Sequence, residues 1–274
     1  MTLPTAKTLQ RFFNRHMPKA MNAHVCYDRA ELVRRLCRLQ RVRLVAVKRF
    51  ESVTLRDEKH LLYGVLSLNR SLEHYLASLI LLKDSDGLKA WSQLVSAEER
   101  LTSALNHYLI DGAKPLVEGL TRLLKECAEV YFPQLVFSSV RYEFLGEHCS
   151  ICGLAPLECE HQPFEFYDGR LCERVVDKME ILGIDFVEEP RNRRAVSYQW
   201  DGDGRTYNVF RGTSRPLTEA AEERDEATGL GILGHERGIV TSVPETNDPK
   251  HWRSVFDPLV DCSDLSSTPT VGEA

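Results

Sequence analysis

The fold class predicted for this chain is α+β: an N-terminal helical bundle, then a small α+β module, then an irregular acidic C-terminal segment. Three observations lead to it. Between residues 28 and 131 apolar side chains recur at helical spacing in several runs separated by short turns. From residue 135 to 211 the pattern changes to short aromatic and β-branched runs around a strong turn signal. At that change sits His148-Cys149-Ser150-Ile151-Cys152, followed by Cys159-Glu160-His161 and Cys172, so that 25 residues hold four of the eight cysteines and two of the nine histidines.

Residues 1–26 read as a basic arm in which Pro4 and Pro18 interrupt any long helix. The bundle is expected over 27–133. Asp28 and Glu31 form a capping-box-like start, and Leu32, Leu36 and Leu39 then recur at helical spacing through Phe50. Arg34, Arg35, Arg38, Arg41, Arg43, Lys48 and Arg49 crowd the same helix. Residues 57–82 predict a second helix, apolar on more than one side and therefore central. The Asp84-Ser85-Asp86-Gly87 turn ends it. A short helical piece over 88–95 and a third helix capped by Ser96 and Glu99, running to about 110, come next. Asp111-Gly112 breaks that helix, and residues 114–131 form a fourth, closed by Pro133.

The second module is expected over 134–212. Residues 135–144 predict a strand leading into the cysteine cluster, 172–181 a helix and 184–188 a strand. Residues 195–200 and 206–211 flank Asp201-Gly202-Asp203-Gly204, a hairpin signal. Residues 213–260 are acidic and Gly-rich, with a short docking helix expected around His251-Trp252, and 261–274 read as a disordered tail.

The cysteine spacing points to metal. Zinc in a structural site takes four nitrogen or sulfur ligands, and a C-x-x-C turn delivers two thiolates from one loop. Cys149 and Cys152 have that spacing, Gly153 frees the turn, and Cys159-x-His161 closes the shell. Cys149, Cys152, Cys159 and His161 are the expected ligands, with Cys172 the alternative to His161. Four protein ligands leave no open position, so the ion would be structural, and its binding energy would support a module too small to hold itself together.

The run CSICGLAPLECEHQPFEFYDGRLC, with EILGIDFVEEPRNRRAV after it, resembles a small zinc-binding module of uncharacterised phage and bacterial proteins. The likeness covers about 147–196. It implies zinc and a phage, bacterial or anti-phage defence setting, and it implies no reaction.

Charge narrows the function further. Residues 1–50 hold 12 Lys/Arg against 2 Asp/Glu, which leaves 23 against 38 in the rest. A basic first helix over an acidic body predicts a nucleic acid or acidic protein partner, as part of a complex. No run is apolar enough to span a membrane, and a cytoplasmic protein is expected. No phosphate loop or nucleophile elbow is present. One catalytic pattern stands out: Arg100-x6-His107 resembles the Arg-x4-6-His motif of HEPN-type ribonucleases, although Leu101 follows the arginine where that family favours polar residues. That resemblance implies RNA cleavage by Arg100 and His107. The residues themselves favour a binding or assembly subunit.

Overall fold

The computed structural model describes residues 28–107, 114–132, 135–190 and 193–197, the strands 199–202, 205–208 and 213–216, Phe210, and six isolated positions before residue 28. Its architecture is α+β, helices first. Apart from those few positions and β8 below, the expected basic arm, the acidic segment and the C-terminal tail lie outside the described residues.

Helix α1 spans Arg29–Ser52. Asp28 caps it by accepting the Ala30 amide at 2.9 Å. Glu31, in its first turn, accepts from Arg34 and Arg35. Helix α2 spans Arg56–Lys83, and every residue from Leu62 to Ile80 is buried, as befits the central helix of a bundle. The turn after it holds Ser85 at φ 61°, and Arg29 forks onto Asp84 with two bonds of 2.8 Å.

Helix α3 runs unbroken over Gly87–Leu105 where two pieces are predicted. Ser96 does not cap; its hydroxyl donates to the Ser92 carbonyl one turn back, and neither Gly nor Pro intervenes to stop the helix. The helix also ends short of residue 110. Helix α4 spans Lys114–Tyr131, as its spacing predicts. The four helices described above share one core, in which Trp91 stacks edge-on against Phe132 and near Phe137.

Eight strands follow among the described residues: β1 (Val136–Cys149), β2 (Phe166–Tyr167), β3 (Arg170–Leu171), β4 (Arg174–Val187), β5 (Val196–Ser197), β6 (Gln199–Gly202), β7 (Arg205–Asn208) and β8 (Thr213–Pro216). They form three small antiparallel sheets, ordered β4-β1-β5, β2-β3 and β6-β7-β8. Of the stretch 172–181, read as a helix, residues 174–181 belong to β4. Its Asp, Lys, Met and Glu residues mimic a helix, but twelve partner positions on β1 outweigh local propensity. The Asp-Gly hairpin is found, with Gly202 opposite Arg205. Val196–Ser197 leaves it to pair with β1 instead.

Two anchors hold the strands to the helices. At one end Trp91 donates its indole N–H to the Arg193 carbonyl at 2.8 Å, Arg194 binds Ser96 and Glu99, and Val196 enters the main core. At the other end the β2-β3 hairpin inserts Phe166 and Leu171 into a second core with Phe50, Val53, Leu62 and Tyr63. Asp168 and Gly169, both at positive φ, make the two-residue turn that such a tight hairpin requires.

Candidate metal centre

Strand β1 delivers Cys149 at its last position, and the chain then folds back on itself. The Gly153 amide donates to the Cys149 carbonyl at 2.8 Å with Gly153 at φ 75°, and the Cys149 amide donates to Leu154. That turn brings Cys152 beneath Cys149. The Ser150 amide, donating to the Glu173 carbonyl at 3.0 Å, brings the returning chain beside it, with Cys172 fully buried. Backbone amides point at the sulfurs: Ile151 N–H donates to Cys149 Sγ and His161 N–H to Cys159 Sγ.

The ligand atoms of Cys149, Cys152, Cys159 and His161 all lie within 4.8 Å of one another, a group able to hold a metal ion. Cys152 and Cys159 Sγ are 3.5 Å apart, and His161 Nδ1 is 3.5 Å from Cys159 Sγ. Thiolates about 2.3 Å from a zinc ion at tetrahedral angles lie roughly 3.8 Å from each other, so the spacing fits the group. Cys172 Sγ is 3.6 Å from Cys149 Sγ but falls outside the mutually close four. The two thiols differ in acidity. Burial raises Cys149, but amide hydrogen bonds from Cys152 and Ile151 and the neighbouring thiols outweigh it and bring it down to about 6. Burial, with Cys149 alongside, pushes Cys172 up to about 12. His148 turns away from the cluster and pairs with Asp177 at 2.7 Å. Among the described residues the cysteines at 127, 149, 152, 159 and 172 are free, while Cys37 is disulfide-bonded.

The centre is coupled to the bundle by side chains of which sequence reasoning singled out only His107. Tyr167 packs edge-on against the His161 ring, and Arg56 of α2 lies over Tyr167 while pairing with Glu165. Glu165 also meets His60 Nε2 at 3.0 Å, and His60 Nδ1 lies 3.1 Å from His107 Nδ1. With neutral imidazoles the sequence of donors is fixed. His60 donates to the carboxylate and accepts from His107 Nδ1, so His107 Nε2 carries a lone pair; that buried nitrogen has no hydrogen-bond partner. Burial, then repulsion from the His60 ring when it is protonated, pull His107 down to about 4.

These histidines belong to a polar seam. His60, Tyr63, Ser67, Arg70 and His74 follow one face of α2 at 3-4-3-4 spacing, and Gln93, Ser96, Arg100 and Ser103 of antiparallel α3 continue the same spacing to His107, two residues past its end. His74 bonds Gln93 at 2.6 Å at one end and His60 meets His107 at the other. The repeat was readable in the sequence, but it was masked by the apolar residues that share α2. Arg100 sits on this seam, where it acts electrostatically on Tyr63, Arg70 and His74.

The basic residues of α1 do not form one surface. Arg43 is in the core, with its Nε 3.0 Å from Glu73 Oε1, and so cannot contact a partner. Arg34 and Arg35 are paired with Glu31, and Arg49 with Glu58. Arg38, Arg41 and Lys48 are exposed along one face. No helix among the described residues is long and apolar enough to cross a membrane. Comparison with protein-family models, with curated proteins and with solved structures finds no match to this chain.

Proposed function

We propose that the chain is a binding or assembly subunit of a bacterial or phage system, possessing a structural zinc ion and contacting a polyanion through α1. The observation that carries the reading is the four-donor group of Cys149, Cys152, Cys159 and His161, set on a loop whose hairpin is plugged into the bundle. A shell filled by protein holds shape and leaves no position for a reacting water. The ion would fix the β2-β3 finger against α1 and α2, and with it the orientation of the exposed row Arg38, Arg41 and Lys48. Nucleic acid is the favoured polyanion, and an acidic protein face is the alternative. Titrating a labelled duplex against the purified chain tests this. Affinity should fall with salt at a slope of about −3 on logarithmic axes, one unit for each cation, and Arg41→Ala should remove about one unit. Salt-insensitive binding, or none, overturns the polyanion reading.

One observation favours a second reading. His107 Nε2 is a buried, unpartnered base held by a His60–Glu165 relay, and Arg100 lies on the same seam. That arrangement would serve phosphodiester cleavage in the manner of HEPN-type ribonucleases, with Arg100 steadying the phosphate and His107 moving the proton, once the seam opens to admit RNA to the buried Nε2. RNA cleavage abolished by His107→Ala with unchanged helical circular dichroism supports it. A parent chain without cleavage removes it.

A further inference from the structure

The β1-β4 ribbon has two unlike faces. Five successive residues on each strand, 141–145 and 178–182, are exposed, so the middle of the ribbon stands in solvent on both sides. The register places Tyr142 opposite Ile181 and Phe144 opposite Met179, with Ile184 and Phe186 continuing the same face of β4. The rings of Tyr142 and Phe144 lie 5.0 Å apart, which confirms that they share this face. Bulges in the pairing, one of which skips Leu182, keep Ile181 and Ile184 on one side although they are three positions apart. These six side chains are 38–64% exposed. The opposite face carries the charges: Arg141 pairs with Asp185 at 2.8 Å, Glu143 faces Glu180, and Lys178 stands opposite Gly146, while Leu145 and Leu182, 46% and 59% exposed, stand at the bulges.

A two-stranded ribbon is marginal in water by itself, and an exposed apolar face makes it more so. The six residues present roughly 600 Å² of apolar surface, at the upper end of what a monomer leaves uncovered. None of the six bears a charge, so a nucleic acid or an acidic peptide finds no ionic complement among them. What matches it is another uncharged apolar sheet face, and a second copy of this chain has one. We infer that two copies pair through this face, ribbon on ribbon about a two-fold axis, to make a small four-stranded sandwich with the charged faces outward. Covering both faces removes roughly 1,200 Å² from water, the lower bound for a specific interface. The pairing goes beyond the proposed zinc and polyanion roles and does not depend on them.

The experiment is sedimentation velocity on the full chain over a concentration series, beside Ile181→Glu/Phe186→Glu and the milder Ile184→Thr. The parent is expected to sediment as a dimer with micromolar dissociation. The double variant should be monomeric with unchanged zinc content and helical circular dichroism, and Ile184→Thr should weaken pairing by about tenfold. A monomeric parent across the series overturns the inference, including the case in which the ribbon is protected from hydrogen exchange because the chain's own remaining residues cover it. So does a dimer that survives both variants. If the double variant does not fold, Ile184→Thr decides alone.

Discussion

Truncating Phe166 to alanine separates holding the metal from docking it. Phe166 is 4% exposed. Its ring lies 5.6 Å from Phe50, 5.6 Å from Tyr63, 5.1 Å from His60 and 6.1 Å from His107. Removing a ring so enclosed loses its transfer free energy and leaves a cavity between two long helices that cannot close on it. The loss should be about 3–5 kcal/mol. The metal ligands should be untouched, because Cys149, Cys152, Cys159 and His161 are positioned by the loop's own turn and by β1-β4 pairing. Urea unfolding followed by circular dichroism gives the first quantity and metal analysis of the folded variant the second. A loss below about 1 kcal/mol refutes docking through the β2-β3 finger, and metal lost from a variant still folded refutes the independence of the ligand group from that docking.

Three further outcomes follow from the buried charges and the cluster. Glu73 is fully buried and accepts from Arg43, Asn69 and Arg70 at 2.8–3.0 Å, so Glu73→Ala should cost about 3–5 kcal/mol in the same urea assay, and Arg43→Met/Glu73→Leu distinctly less. Burial, with Arg70 nearby, lowers His74 to about 3, and burial lowers His107 to about 4, against 6.5 for the free group. The unfolded chain therefore takes up these protons first, and stability should fall as pH drops from 6.5 toward 4, by about 1.4 kcal/mol per pH unit for each histidine. His74→Gln should flatten that slope by one histidine's share. In the cluster, His161→Ala should lower zinc affinity more than Cys172→Ala, and a competition titration with a chelator reads the order directly.

Helical spacing made α1, α2 and α4 legible because each pairs a regular apolar face with a clear stop. Helix α3 was misread because Ser96, a good cap in isolation, is satisfied inside a helix by the Ser92 carbonyl. Strand β4 was misread because its helix-favouring residues carry no local mark of the β1 partner that overrides them. The group of Cys149, Cys152, Cys159 and His161, able to hold a metal ion, was legible because its members are close in sequence. Arg43 illustrates the reverse: its charge marked it as surface, and only the position of Glu73, thirty residues away on α2, places it in the core. The Glu165–His60–His107 relay joins three separate segments and leaves no spacing for a reader to find.

Metal content of the folded chain tests the central claim most directly. Purified parent protein should hold about one zinc ion per chain, and Cys152→Ser should lose it together with the edge-on contact between Tyr167 and His161, while the helices of the bundle keep their circular dichroism. A parent chain that holds no metal when refolded with zinc, or a Cys152→Ser/Cys159→Ser variant that still holds it, would contradict the account.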